Sequence, residues 1–273
     1  MPMNEHPEFA IDLDKIIASK AKGKKFPKFL VNWLKRFLHV DFLNEYLTRG
    51  FVGVDFCTGS VEYLDVTLDV HGFDKFDTSG ATKYTFVSNH PLGGIDGVAL
   101  GGIVGKAFDG KIRYLVNDLL MNLKGLAPIC VGVNVMGKDQ SKDLAAKIDE
   151  AFASEDQMIM FPGKLCSRKI DGRIQDLPWG KAFIRKSVMT GRTVVPVHFI
   201  AENSPRFYRV ANLCKKLGLK FNFAMLLLPD EMYKAQHGTF KVVFGDPIPP
   251  ETFDSSRSAY EWAQWVRAKV YEL

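Results

Sequence analysis

Cysteine is scarce and scattered in this chain, with Cys57, Cys130, Cys166 and Cys214 standing far apart. No two of them form a Cys-x-x-Cys pair, which speaks against a structural zinc site and against a disulfide framework. Reduced thiols in a cytosolic protein are the simplest reading. Long apolar runs are missing as well, since no stretch approaches the ~18 to 20 residues that a membrane-spanning helix needs. Residues 1–14 are polar and hold no signal-peptide core. Three catalytic signatures are also absent. There is no Gly-x-Ser-x-Gly elbow, no Walker glycine spacing around Gly105 and Lys106, and no His-Glu-x-x-His. Elbow-type serine hydrolysis, P-loop nucleotide hydrolysis and zincin chemistry therefore have no foothold. Internal repeats, low-complexity tracts and long linkers are likewise missing.

What is present is a chain of 273 residues with 47% apolar content, enough to bury a large core as one domain, or one with an appendage. Charged residues make up 25%, an ordinary share that excludes wholesale disorder. The net charge of +5 is unevenly placed. Lys15, Lys20, Lys22, Lys24, Lys25, Lys28, Lys35 and Arg36 form a stretch with no acid, leaving the rest of the chain net negative. Interleaved with these cations, Phe26, Phe29, Leu30, Trp33, Leu34 and Phe37 fall at helical spacing on one side. A basic amphipathic helix carrying Trp and Phe suits a membrane interface, where each Lys or Arg contributes about 1 kcal/mol near an anionic leaflet. The plainer alternative is a helix packing its apolar face on the core with solvated lysines outside. Nucleic acid ranks last, because no base-stacking or helix-turn-helix pattern accompanies the charge.

Along the chain, helical segments are expected through Asp12 to Arg49, broken near Gly23 and Pro27. Strand and helix then alternate. Strands are expected at Leu64–Val70, Lys83–Ser88, Ile112–Val116, Ile129–Val135, Gln157–Phe161, Thr193–Ile200 and Thr239–Phe244. Helices are expected at Gly97–Phe108, Ser141–Ser154, Trp179–Thr190, Phe207–Leu217 and Ser258–Glu272. This alternation predicts an α/β fold with a mostly parallel central sheet flanked by helices. Residues 1–50 are expected to form a basic amphipathic membrane-interfacial segment, and 51–273 the α/β domain.

The run Asn89-His90-Pro91-Leu92-Gly93-Gly94-Ile95-Asp96 places a histidine and a carboxylate close together at the end of a buried strand. A general base needs a partner that sets its tautomer and stabilises the imidazolium, and Asp96 is near enough to serve. In open α/β sheets, chemistry collects where strands end and helices begin. A second cluster follows the strand that ends at Phe161: Pro162-Gly163-Lys164-Leu165-Cys166-Ser167-Arg168-Lys169. Three cations, a serine and a glycine suit an anion pocket in which Arg168 grips a phosphate or carboxylate. An exposed turn with solvated lysines is the alternative.

The order of these blocks resembles the lysophospholipid acyltransferase superfamily, which includes the glycerol-phosphate acyltransferases. The blocks are a strand, Asn-His-Pro-x-Gly-x-x-Asp, a distant Phe-Pro-Gly element with a following Arg, and Val195-Pro196-Val197. Leu228-Pro229-Asp230-Glu231 and Phe244-Gly245-Asp246-Pro247-Ile248-Pro249 bring it nearest to the bacterial branch that carries a hemolysin label, related to the O-acyltransferases of ornithine and glycine lipids. Two departures stand out. The family signature has four residues between His and Asp, whereas Pro91 to Ile95 make five. The usual Phe-Pro-Glu-Gly-x-Arg block lacks its glutamate, and its arginine is displaced to Arg168, which suits a carboxylate headgroup in place of a phosphate.

The resemblance implies acyl transfer from an acyl-ACP or acyl-CoA thioester to the hydroxyl of a lyso-lipid such as a lyso-aminolipid. His90 would be the base, Asp96 its orienting partner, and backbone N–H groups around Gly93 and Gly94 the oxyanion donors. Gly163, Lys164, Ser167, Arg168 and Lys169 would hold the acceptor. Lys22, Lys24, Lys25, Phe26, Lys28, Phe29, Trp33 and Phe37 would meet a membrane lipid surface, as a peripheral protein on the cytoplasmic face of the inner membrane. No metal or redox cofactor and no nucleic acid is expected. The competing expectations are a 1-acylglycerol-3-phosphate acyltransferase of phospholipid synthesis, and a non-catalytic membrane-surface module on the same fold. His198 reads as a satisfied core or strand-end histidine. Cys166 sits beside cations that could lower its pKa, but with no catalytic partner evident it reads as an ordinary thiol.

Overall fold

The computed structural model describes residues 6–20, 26–133, 142–219 and 222–273. Lys22, Lys24 and Lys25, expected at the membrane, lie outside the described residues, as do the parts of the expected strand and helix that fall within 134–141. The N-terminal region holds α1 (Leu13–Lys20), α2 (Lys28–Phe37) and α3 (Val40–Leu47). The last two are separated by His39, whose φ of 49° turns the chain through the left-handed region. The helical segments expected from Asp12 to Arg49, with a break near Pro27, are present, and His39 adds a further break that was not expected.

The body follows as α4 (Gly53–Tyr63), β1 (Thr67–His71), β2 (Tyr84–Ser88), α5 (Ile95–Ala107), β3 (Ile112–Asn117), β4 (Cys130–Val133), α6 (Lys142–Ala153) and β5 (Gln157–Met160). A small hairpin of β6 (Arg168–Ile170) and β7 (Arg173–Gln175) comes next. The chain closes with α7 (Ala182–Thr190), β8 (Thr193–Ile200), α8 (Pro205–Lys216), α9 (Leu228–Lys234), β9 (Thr239–Phe244) and α10 (Ala259–Glu272). Seven strands form one sheet in the order β1-β9-β8-β2-β5-β3-β4. Every neighbouring pair in it is parallel except β8–β9. The fold is the mostly parallel α/β sheet flanked by helices that the alternation predicts.

The sheet is covered on both faces, which is why every residue of β2 and β5 is buried. Phe86, Ile159 and Val195 pack with Leu100, Val104 and Phe108 on one face. Their sequence neighbours Val87, Met158 and Val194 pack with Phe152, Trp179, Phe183, Trp262 and Val266 on the other. Alternation along each strand sends successive side chains to opposite layers. The closing helix α10 starts at a capping box between Ser258 and Glu261.

One segment departs from expectation. Alternation suggested a strand from Leu64, but α4 runs to Tyr63, Leu64 caps it, and the strand begins at Thr67. The cause is tertiary. A Cβ at Gly101 would stand 2.6 Å from Cys57 Sγ, and one at Gly105 would stand 2.4 Å from Val54 Cγ2. Glycines on α5 thus let α4 approach at a distance that rewards a helix there, whatever its weak local signal.

Candidate active site

Because β2 and β5 are parallel neighbours, with Val87 opposite Met160, the loops that follow them emerge side by side. The His90 loop therefore meets the Gly163–Arg168 loop at the carboxyl edge of the sheet, where α/β folds place their ligands. Asn89 ties down the strand end, its Nδ2 donating to the Phe199 carbonyl at 2.9 Å and its Oδ1 accepting from Phe199 N–H at 2.8 Å.

Asp96, in the first turn of α5, is fully buried. Its Oδ2 faces His90 Nδ1 at 3.1 Å and accepts the N–H groups of Leu92 at 3.0 Å and Gly93 at 3.3 Å. Its Oδ1 accepts from the Gly97 N–H at 2.9 Å. Three backbone donors and a helix N-terminus favour the carboxylate form, so Nδ1 carries the proton and Nε2 is the basic nitrogen. The imidazole also stacks on Phe161, with centroids 4.2 Å apart. The five residues between histidine and aspartate fit because Gly93 adopts a φ of 78° and closes the turn back onto Asp96. A Cβ there would lie 2.3 Å from Cys166 Sγ, so the second loop packs directly on the turn.

That second loop is fastened from below by a residue that the sequence did not single out. Asp176, fully buried, accepts from Ser167 Oγ at 2.6 Å, His90 N–H at 3.2 Å and Trp179 Nε1 at 2.9 Å. Gly163 lies close over the same carboxylate, since a Cβ would stand 2.8 Å from Asp176 Oδ2. Ser167 N–H donates in turn to the His90 carbonyl at 2.8 Å. Ser167 and Gly163 thus shape the site by holding its two loops together. The serine's hydroxyl already has a partner. Lys164, with a φ of 65°, and Lys169 are both exposed on the surface.

Arg168 is 8% exposed and stands apart chemically. Its guanidinium donates to the Cys166 and Ser167 carbonyls and lies 5.6 Å above the Phe207 ring, yet its second terminal nitrogen is buried without a partner among the described residues. Arg192 shows the structural alternative within the same molecule, donating to the carbonyls of Phe152, Tyr84, Asp156 and Ser154. A buried guanidinium with an unfilled donor and, among the described residues, no carboxylate bridge suits an anionic ligand.

Electrostatics favour a charged pair. Burial works against the imidazolium, but the Asp96 charge and hydrogen bond, with the Asp176 charge, outweigh it, and the His90 pKa rises above the ordinary value. Arg168 opposes that rise. Burial works against the Asp96 carboxylate too, yet His90 and the Leu92 and Gly93 N–H bonds hold its pKa below the usual carboxylate range. Asp176 moves the other way, raised by burial despite its hydrogen bonds. Cys166 is pushed up to about 12 by burial, so the nearby cation does not activate it. His198 is a correction of detail: its Nδ1 is buried without a partner, and its ring meets Tyr271 edge-on at 5.3 Å.

The structure therefore gathers His90, Asp96, Gly93, Gly94, Gly163, Ser167 and Arg168 into one site, and leaves Lys164 and Lys169 exposed to solvent. The site's far wall is α9, whose Leu228 and Met232 would meet a Cβ placed at Gly93 or Gly94 at 3.1 and 2.6 Å. Asp176 and Phe161 escaped the sequence reading. Asp176 lies isolated in an Asp-Leu-Pro-Trp turn, where nothing local marks it.

A histidine–aspartate pair beside a buried arginine, at parallel strand ends, defines a class of group-transfer site. The chain belongs to the acyltransferase family, whose model matches residues 15–273, and it is an acyltransferase. It is 52% identical to a lyso-glycine lipid O-acyltransferase of Bacteroides thetaiotaomicron, over 99% of this chain and 100% of that one. A lyso-glycine lipid O-acyltransferase of Phocaeicola vulgatus is 50% identical, over 99% of this chain and 98% of that one. The solved 1-acyl-sn-glycerophosphate (LPA) acyltransferase PlsC from Thermotoga maritima aligns over 95% of this chain and 87% of its own, with a TM-score of 0.48 and 14% identity. The family and the two relatives agree with the lysophospholipid acyltransferase branch that the motifs resemble.

Proposed function

We propose that this acyltransferase moves a fatty acyl group from a thioester, carried on acyl carrier protein or coenzyme A, to the hydroxyl of a lyso-aminolipid at a membrane surface. His90 Nε2 removes the hydroxyl proton while the oxygen attacks the thioester carbonyl. An alcohol is a weak nucleophile at neutral pH, so a placed base contributes ~10² to 10⁴-fold. Asp96 holds the ring through Nδ1–H and stabilises its cationic form. Leu92, Gly93 and Gly97 donate to Asp96, so of the two glycines in the turn it is Gly94, at the start of α5, that we take as a donor to the oxyanion. Collapse of the tetrahedral species forms the ester and expels the thiolate, which takes the proton back from His90.

Arg168 grips the acceptor's anionic headgroup. An amino-acid headgroup presents a planar carboxylate, which matches a guanidinium fork. The observation that carries this reading is the unfilled Arg168 nitrogen beside the His90–Asp96 pair, in a chain half identical, end to end, to two lyso-glycine lipid O-acyltransferases. Among the described residues no helix is long and apolar enough to cross a membrane. We place the protein peripherally, on the cytoplasmic face of the inner membrane.

The test is mass spectrometry of lipids from cells lacking the protein, complemented with wild type or His90→Ala. The expected result is loss of a diacylated aminolipid and build-up of its mono-acylated precursor, reversed only by wild type. Unchanged aminolipids with altered phosphatidic acid would favour a lysophosphatidate acceptor. Rescue by His90→Ala would leave a binding module as the account.

A further inference from the structure

The chain holds a second stretch with the charge signature of its N-terminus. From Asn203 to Pro229 there is no acidic residue, and Arg206, Arg209, Lys215 and Lys216 lie in α8. The helix buries Phe207, Tyr208, Ala211 and Cys214 against the molecule. Its opposite stripe, Arg206, Arg209, Leu213, Lys216 and Leu217, is exposed. Leu213 is 54% and Leu217 61% exposed, far from the usual state of a leucine. Leu219 is exposed too, as are Phe223, Met225 and Leu226 of the 3₁₀ turn Phe223–Leu227.

We infer that the outer face of α8 and the following 3₁₀ turn is a second membrane-contact surface, which seats on an anionic bilayer together with α2. Four observations connect it to α2 and to the site. Asp230 of α9 binds His39 Nε2 at 3.0 Å, Arg206 at 3.6 Å and Lys234, which rivets the α2–α3 junction to α8 and α9. Phe37, stacked on Trp33, packs into the same apolar cluster as Phe207, Ala211 and Leu227. Arg168 lies over Phe207 of α8, and the turn at Phe223–Leu227 runs straight into α9, the wall over Gly93 and Gly94. A bilayer against this face would adjoin α9 and the loop that carries His90, giving an amphiphile a short path to the base. Cations interleaved with leucines and phenylalanine, without acids, match an anionic interface better than a protein partner's mixed surface. The inference rests on the proposed function only for the lipid nature of the acceptor.

The test floats the full chain with phosphatidylcholine vesicles, with and without phosphatidylglycerol. A Leu213→Ser, Leu217→Ser, Leu219→Ser variant, with α2 intact, should bind anionic vesicles about tenfold more weakly, or worse. Lys215→Gln with Lys216→Gln should lose mainly the preference for phosphatidylglycerol. As a local readout, Leu217→Cys carrying a polarity-sensitive dye should shift to the blue on vesicles, the four native thiols being buried. Turnover of a detergent-dispersed acceptor should stay unchanged in the serine variant. Failure of the enzymatic reading would instead show as no turnover by wild type. Wild-type flotation by the serine variant with no dye shift would overturn the inference. So would a serine variant that converts a dimer to a monomer while floating normally, since the face would then join two copies of the chain.

Discussion

The backbone N–H of Ser167 donates to the carbonyl oxygen of His90 at 2.8 Å. That bond links two loops 77 positions apart in sequence, and Asp176 doubles it by accepting from Ser167 Oγ and from His90 N–H. The base is thus held by Asp96 at its ring and by the second loop at its backbone. Each attachment has a measurable consequence.

His90→Ala should lower kcat/KM by ~10² to 10⁴-fold, the usual contribution of a placed base. The ring is partly exposed and fills no core position, so circular dichroism and vesicle flotation should match wild type. Loss of both activity and fold would overturn the assignment.

The pH profile should carry the sign of the His90 shift. The base works only when neutral, and its pKa is raised above 6.5. The acid limb of kcat/KM should therefore have its midpoint above that value, with activity rising as pH rises through it. In Asp96→Asn the raising charge is gone while burial remains, so the limb should move to lower pH as the maximal rate falls. A limb that stays in place would detach Asp96 from the base.

Arg168→Gln should raise KM for the anionic acceptor more than it lowers kcat, by roughly tenfold or more, as expected for a lost hydrogen bond to a charged group. Arg168→Lys should recover only part, because an ammonium lacks the planar fork. The guanidinium also opposes the His90 imidazolium, so Arg168→Gln should move the acid limb upward. An unchanged KM would place the headgroup elsewhere.

Gly93→Ala should be costly on two counts, a φ of 78° and a Cβ 2.3 Å from Cys166 Sγ. Overpacking of this kind costs ~1 to 3 kcal/mol, readable by urea denaturation. Adding Cys166→Ala should return part of that stability, because the contact is relieved and the backbone strain is not. Full additivity of the two single losses would refute the contact.

Asp176→Asn should loosen the second loop. All three groups around the carboxylate are donors, so an amide nitrogen must face one of them, leaving a buried polar group unsatisfied at ~1 to 3 kcal/mol. The expected signature is lower thermal stability with kcat/KM reduced at every pH. A stabilised variant with normal turnover would show that the buried charge is only a burden.

Most of the body was legible because strands with apolar residues on both faces and helices with one apolar stripe announce themselves by period. Thr193–Ile200 and Thr239–Phe244 match their expected bounds, and α10 begins where Ser258 and Glu261 form its cap. The segment from Gly53 to Val70 was not legible. Alternation was read only from Leu64 to Val70, and the helix before it, which packs closely against Gly101 and Gly105, carried no signal that was read locally.

By itself the sequence determined the layered α/β fold, the His90–Asp96 neighbourhood and the concentration of positive charge near the N-terminus. These depend on residues close in the chain, through period, turn chemistry and composition. Only the tertiary structure decided that Arg168 is buried with an open donor while Lys164 and Lys169 face solvent. Only it showed that Asp176 underpins both loops, and that α8 presents leucines outward. Those facts arise from contacts between strands and helices distant in sequence, where burial and hydrogen-bond partners are assigned by packing.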